Sequence, residues 1–258
     1  MEVRNKVVVV TGGASGIGRS LSRRFAADGA QLVVVADVDE DGARRVADEI
    51  AGAAVRTDVS RESDIAGLVE QTERDHGAID LFCSNAGVLA IGGEELPDDV
   101  WRRTIDINVM AHVWAARHLV PRMLARGSGY LLNTASAAGL LIQIGSAPYT
   151  VTKHAAVGFA EWLSVTYGER GLGVSVLCPQ AVDTRMTAGI EGGGVAGVDG
   201  MLSPEAVADV VVEGLAEEQF LILPHPEVAE YERRKTADRQ RWLTGMRRLQ
   251  ARFGDMLS

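Results

Sequence analysis

Val7-Val8-Val9-Val10-Thr11-Gly12-Gly13-Ala14-Ser15-Gly16-Ile17-Gly18 is the stretch that decides the fold. Its unbroken apolar start reads as a short strand buried on both faces, as in a parallel sheet. The glycines let the backbone approach a pyrophosphate. The helix expected to follow, through Leu21, Phe25 and Ala26 to Asp28-Gly29, offers unpaired N–H groups at its N-terminus. A bare glycine pattern also fits an ordinary strand-to-helix turn; its position after a strand and before a helix points to a dinucleotide. Gly12, Ser15, Gly16, Ile17 and Gly18 are therefore expected to cradle a cofactor.

Outward from this motif, Leu32–Ala36 forms a second apolar strand that ends at Asp37. An acidic residue about twenty positions past the glycine loop can accept hydrogen bonds from ribose hydroxyls, and it repels a 2′-phosphate. Position 15 is Ser and no arginine directly follows Asp37, so NAD(H) is expected over NADP(H). A helix N-cap is the competing use of this aspartate. Further on, a helix near 40–50, a strand over 53–57 closed by Asp58-Val59, and a helix from about 61 to 76 lead to Ile79–Cys83 and Ser84-Asn85-Ala86-Gly87. Asp58 at a strand end fits an adenine contact and a local cap equally well. Asn85, Ala86 and Gly87 are placed to border the cofactor, although as a turn signal alone they say little.

Composition narrows the function classes. The 258 residues, 47% hydrophobic, suffice for one large α/β domain or two small ones. A net charge of −9 makes nucleic acid a poor partner. Cys83 and Cys178 lie in apolar runs, where free thiols are expected. The first residues lack a signal-peptide layout, and no apolar run reaches the ~18–20 residues of a membrane helix. A cytoplasmic protein without a membrane span is expected. No Cys/His/Asp cluster appears, so no metal site is expected.

Tyr149 and Lys153 stand at i and i+4, on one face of a helix expected from Pro148 to about Glu169. A fixed ammonium ~4 Å from a phenol, at an effective dielectric of ~20, favours the phenolate by roughly 4 kcal/mol. That is about three units below the ordinary phenol value of about 10. Taken alone, such a pair also fits a solvated helix face. Ser136, thirteen residues before the tyrosine, adds a hydroxyl able to stabilise charge building on a substrate oxygen.

Together these residues resemble the short-chain dehydrogenase/reductase family over nearly the whole chain. The carriers are Thr-Gly-x-x-x-Gly-x-Gly at 11–18, Asn-Ala-Gly at 85–87, Asn108, Ser136 and Tyr-x-x-x-Lys at 149–153. The resemblance implies a doubly wound Rossmann-type α/β fold, with a parallel sheet of seven strands and helices on both faces. It further implies a single dinucleotide-binding and catalytic domain over 1–258, with the cofactor at the strands' C-terminal ends. Asn108, Ser136, Tyr149 and Lys153 would be catalytic, Asn108 serving a proton relay. Tyr149, Lys153, Pro179, Val182 and Thr184 would join the cofactor contacts. A homotetramer or homodimer is implied as well. Two residues depart from the pattern: Gln180 replaces the glycine usual after Pro179, and Ser84 stands where asparagine is common.

The substrate side is read from composition. Leu140–Gly145 is strongly apolar, either one wall of a pocket or a loop tucked under the next helix. Residues 185–203, rich in glycine with Met186, Ile190 and Met201 interspersed, read as a flexible lid. Ala138, Gln143, Gln180 and Met186 are expected to face a small hydrophobic alcohol or ketone. Residues 227–258 form a helical extension in which Trp242, Met246, Leu249 and Phe253 make an apolar stripe. That stripe is expected to cover the lid or a subunit boundary, with the surrounding arginines and Lys235 solvated. His112 and His118 are expected on a packing or subunit face, and His225 has no evident partner. The expected activity is NAD(H)-dependent interconversion of a hydrophobic secondary alcohol and its ketone. The alternatives are an NADPH-preferring carbonyl reductase or an epimerase on this fold, or a non-catalytic NAD-binding protein.

Overall fold

The structure, a computed structural model, describes residues 1–253; the last five residues of the expected extension lie outside the described residues. Strands β1 (Val7–Thr11), β2 (Leu32–Asp37), β3 (Ala53–Arg56), β4 (Leu81–Ser84), β5 (Gly129–Thr134), β6 (Leu172–Leu177) and β7 (Leu221–Ile222) form one parallel sheet in the order β3-β2-β1-β4-β5-β6-β7. The order reverses between β1 and β4. Such a switch point opens a crevice at the strands' carboxyl ends.

Helices α1 (Gly16–Ala27), α2 (Glu40–Glu49) and α7 (Pro204–Ala216) cover one face. α3 (Glu62–His76), α5 (Ala111–Arg126) and α6 (Ala147–Tyr167) cover the other. Strand period decides which residue meets which layer: Val8, Val10, Val33 and Val35 pack with Leu21 and Phe25, while Val9, Val34 and Phe82 pack with Leu68 and Leu119. Each such fully buried side chain contributes about 1.5–3 kcal/mol. This two-sided burial is why the strands read as continuous apolar runs. The doubly wound α/β fold with seven parallel strands is present as the resemblance implied.

Local departures have physical causes. The stretch between β4 and β5 folds as α4 (Asp98–Ile105), a π-helical turn (Asp106–Met110) and α5. Pro97 itself is extended at ψ 148° and precedes the helix as its cap. Strand β7 is only two residues long, with Pro224 following shortly after. The extension is two helices, α8 (Glu227–Ala237) and α9 (Arg239–Phe253), because Asp238 leaves helical geometry (φ −147°, ψ 89°) and its carboxylate accepts the Arg241 N–H at 2.9 Å. No helix among the described residues is long and apolar enough to cross a membrane.

Candidate active site

The glycine loop ends β1 and opens α1. Gly12 (φ +66°) lies so near β4 that a Cβ would stand 2.9 Å from Ala86 Cα. A Cβ on Gly18 would be driven into the Gly12 carbonyl and to 2.7 Å from Asn85 Nδ2. Gly16 (φ +51°) faces Thr184, whose Cγ2 would lie 3.1 Å from a Cβ there. Ser15 caps α1 without any side-chain hydrogen bond to it, so the first-turn N–H groups are left to other acceptors, as a pyrophosphate cradle requires. Ile17 is partly buried in the same turn.

Asp37 ends β2 and is aimed at this loop. One carboxylate oxygen accepts the Ala14 N–H at 3.0 Å and the other the Asp39 N–H at 3.0 Å. The cap of α2 is Asp39, whose side chain accepts from Gly42, so Asp37 does not take the N-cap position. Asp58 is engaged locally: its Oδ1 accepts the Ser60 N–H at 3.1 Å and the Ser60 hydroxyl at 2.6 Å. That hydroxyl holds the Asp58 carboxyl below its usual range. Val59 is buried in the core beside it.

Asn85 stitches three strands together. Its Nδ2 donates to the Thr11 carbonyl (3.1 Å), its N–H to the Thr11 hydroxyl (2.9 Å), and its Oδ1 accepts from the Thr134 hydroxyl (3.2 Å). The Thr134 carbonyl in turn accepts from Lys153 Nζ at 3.0 Å. Gly87 closes this wall, since a Cβ there would lie 3.4 Å from Asn108 Oδ1 and 3.5 Å from Lys153 Nζ. Asn108 is fully buried on the π turn, a distortion frequent at functional sites. Its donors are both used: Nδ2 donates to the Val88 carbonyl and the Thr152 hydroxyl, while Oδ1 accepts the Val88 N–H. One turn on, His112 is buried in the packing, against Asn133 at 3.2 Å. His118, further along α5, is partly buried beside Glu62.

Tyr149 and Lys153 rise from the first two turns of α6, whose N-terminus is capped by the Ser146 hydroxyl. Lys153 is buried and its ammonium lies 5.5 Å from the Tyr149 ring centroid. Burial brings the lysine down to about 8. The tyrosine moves opposite to expectation. Burial raises its phenol above 10, and the neighbouring Ser136 hydroxyl only draws it part of the way back. The expected drop assumed a full charge at hydrogen-bond distance in partly aqueous surroundings. Here the lysine is desolvated and turned toward Thr134. Ser136 itself accepts the Ala138 N–H at 3.1 Å and donates to the Pro179 carbonyl at 3.3 Å.

The two oddities after β6 explain each other. Gln180 adopts no positive φ, so the loop takes a path open to side chains. Its N–H donates to Nδ1 of His225 at 3.2 Å. His225 is buried there, which lowers its pKa. Val182 is buried and bridges to Leu202. Thr184 lies against Gly16, as above.

A cavity of about 940 Å³ opens beside Ser136. Ala138, Gln143 and Gln180 line it; Tyr149, facing Ser136, is not itself among its walls. Met186 is not either: it is 39% exposed, in the turn that Thr187 closes onto Val182 and Thr184. Leu141 and Ile142 form part of one wall, so the apolar loop faces the cavity. The opposite wall comes from α8 and α9, where Trp242, Met246 and Leu249 point inward. Sequence reasoning missed what fixes that wall. Lys235, expected to be solvated, is buried. It donates to the carbonyls of Leu140 and Leu141 and to His154 Nε2 at 3.2 Å, and it lies 5.1 Å from the Trp242 ring centroid. His154 Nδ1 faces the Thr150 carbonyl at 2.9 Å, so Nδ1 carries the proton and Nε2 accepts. Tyr231 also reaches from α8 to Asp199 at 2.9 Å.

Residues 6–192 match a family model described as short chain dehydrogenase. The chain is 40% identical over 231 residues to a 1-deoxy-11-beta-hydroxypentalenate dehydrogenase of Streptomyces exfoliatus, covering 86% of this chain and 84% of that one. It is 34% identical over 228 residues to a cyclohexanol dehydrogenase of an Acinetobacter species, covering 84% and 90%. A solved short chain dehydrogenase/reductase from Burkholderia phymatum in complex with NAD superposes with a TM-score of 0.84 at 31% identity, covering 93% of this chain and 96% of that one.

Proposed function

The chain belongs to the short-chain dehydrogenase family, and we propose that it is an NAD(H)-dependent oxidoreductase interconverting an alicyclic secondary alcohol and its ketone. The observation that carries this reading is the convergence of Ser136, Tyr149 and Lys153 at the carboxyl end of β5, beside an apolar cavity. The names of the relatives above, a hydroxypentalenate and a cyclohexanol dehydrogenase, support the alicyclic substrate.

NAD(H), when bound, supplies the hydride acceptor or donor. Gly12, Ser15, Gly16, Ile17 and Gly18 would hold its pyrophosphate and Asp37 its ribose. Val59, Asn85, Ala86, Gly87, Pro179, Val182 and Thr184 would border the remainder, with Asp58 contributing through its fold. The tight glycine contacts and the uncapped first turn of α1 support that fit. Tyr149 Oη takes the proton from the substrate hydroxyl in oxidation and returns it in reduction. Ser136 Oγ donates to the same substrate oxygen as charge builds on it. Lys153 Nζ spends one of its three N–H groups on Thr134, leaving two for groups entering the site and a positive charge behind the phenol. Asn108 acts as a positioning residue. Both of its amide hydrogens are committed to Val88 and Thr152, which fixes this side chain beside Gly87 and Lys153.

Asp37 favours NAD(H) over NADP(H), because a carboxylate at the ribose repels a 2′-phosphate. The exposed apolar face of α6, with Val151, Trp162 and Val165 at 53%, 53% and 87%, supports pairing into a homodimer or homotetramer. The test is a screen of cyclic secondary alcohols with NAD⁺ and with NADP⁺, followed at the nicotinamide absorbance band, in the native chain and in Tyr149→Phe. The expected result is turnover with NAD⁺, lowered about 10²–10⁴-fold by the substitution while NADH binding persists. Unchanged turnover in Tyr149→Phe would remove the assignment.

A further inference from the structure

The cavity wall built by α8 and α9 carries charge that an alicyclic alcohol alone does not need. Between Glu227 and Phe253 there are eight basic and four acidic residues, in a chain whose net charge is −9. Three arginines from this segment, Arg233, Arg234 and Arg241, are among the residues that line the cavity, all of them at its exposed edge. Arg233 and Arg234 share one carboxylate: Glu230 takes two bonds from Arg233 (2.7 and 2.8 Å) and one from Arg234 (2.6 Å). The acidic side chain in the lining, Asp238, is spent as the cap of α9. Arg241 has no ion-pair partner among the described residues. Three cations therefore answer to two carboxylates, one of them committed to a helix end, in a cavity whose other lining includes Leu141, Ile142, Trp242, Met246 and Leu249.

From this imbalance we propose that the cavity accepts a hydroxylated alicyclic carboxylate, its hydroxyl toward Ser136 and its carboxylate against Arg241. The proposal rests on the reading of this cavity as the substrate site. A guanidinium is a planar fork that matches a carboxylate with two parallel hydrogen bonds. At the exposed edge of the cavity the pair is open to solvent, so its preference for a carboxylate over a neutral analogue weakens as salt is raised. The wall that holds Arg241 is fixed in place: Lys235 ties α8 to the substrate loop and stacks on Trp242, the residue following Arg241. Cations gathered at the mouth of an otherwise acidic protein also draw anions toward the cavity.

The probes are adamantane-1-carboxylate and adamantane-1-carboxamide, rigid alicyclic shapes that differ in charge and carry no hydroxyl to be oxidised. Their binding to the full chain with NAD⁺ present is measured by calorimetry, and each is tested as a competitive inhibitor of whichever alcohol is turned over. The carboxylate is expected to bind at least tenfold more tightly, with the gap shrinking as salt is raised. In Arg241→Gln the gap falls to within twofold, and in Arg241→Lys part of it remains. Arg241 is exposed, so both variants are expected to fold. Equal binding of the two probes, or a preference that survives Arg241→Gln, overturns the proposal. Absence of turnover with every alcohol would instead overturn the oxidoreductase reading, and the calorimetric comparison would still decide the subsite.

Discussion

The cofactor side and the substrate side of this molecule are built by different means. Around Gly12–Gly18 the critical contacts are backbone against backbone, made by a contiguous motif and the adjoining strand end at Asn85–Gly87. Around the cavity they are side chains reaching across the fold. Lys235 lies 95 residues from Leu140 and 81 from His154, and Gln180 lies 45 from His225. Glycine makes the first kind of contact possible by lacking a side chain, which leaves a mark in the local sequence. The second kind depends on where a distant helix comes to rest.

If that contrast is right, the cofactor side is brittle. Gly18→Ala pushes a Cβ into the Gly12 carbonyl, and neither the strand end nor the start of α1 can retreat without losing the loop. Overpacking of this kind reaches about 3 kcal/mol, equivalent to a roughly hundredfold weaker Kd for NADH at about 1.4 kcal/mol per decade. Fluorescence titration of NADH measures it, with a thermal melt to separate lost affinity from lost folding. Unaltered NADH affinity would show that the close approach has slack.

The same contrast explains what could be read from the sequence. β1, the glycine loop, β2 and Asp37 were legible because each signal is local: an apolar run, a φ only glycine tolerates readily, an acidic residue at a strand end. Tyr149 and Lys153 were legible as a pair one helical turn apart. Their electrostatics were not, because the direction of the Tyr149 shift depends on burial by elements elsewhere in the chain. Arginines and a lysine on an amphipathic tail look alike in sequence, yet Lys235 is buried, Arg241 lines the cavity and Arg247 is exposed. Nothing within one helical turn distinguishes them. His225 and the unusual Gln180 each looked unexplained until the fold placed them together.

Between the two sides lies a buried seam where His112 meets Asn133 behind Lys153. Burial, then the Lys153 charge, brings His112 from 6.5 down to about 4. A base depressed in the folded state stays neutral while the unfolded chain takes up a proton. Stability is therefore lost as pH falls from about 6.5 toward 4 and levels off below that. Between pH 7 and pH 5 the loss attributable to this residue is about 2 kcal/mol. Urea melts of the native chain and His112→Gln at both pH values isolate it: the native chain should lose about that much more. A difference that does not change with pH would mean that the imidazole is hydrated and that the seam is not sealed.

The smallest effect is expected on the substrate side, and it bears most directly on whether the two sides are separable. Lys235→Met keeps much of the length and the apolar stem but removes the donor for Leu140, Leu141 and His154. Those acceptors can recover part of their bonding from water at the cavity edge, so the full cost of unsatisfied groups is not reached. What is lost is the placement of α8, and with it the Trp242 side of the cavity. KM for the alcohol should rise about tenfold, or about 1.4 kcal/mol, with kcat held within about threefold and the NADH Kd unchanged. A fall in kcat as large as the rise in KM would mean that Lys235 also positions Tyr149, through His154 on the same helix. Then the substrate wall and the proton-transfer residues would move as one body, and the division drawn here would have to be placed between α6 and the glycine loop instead.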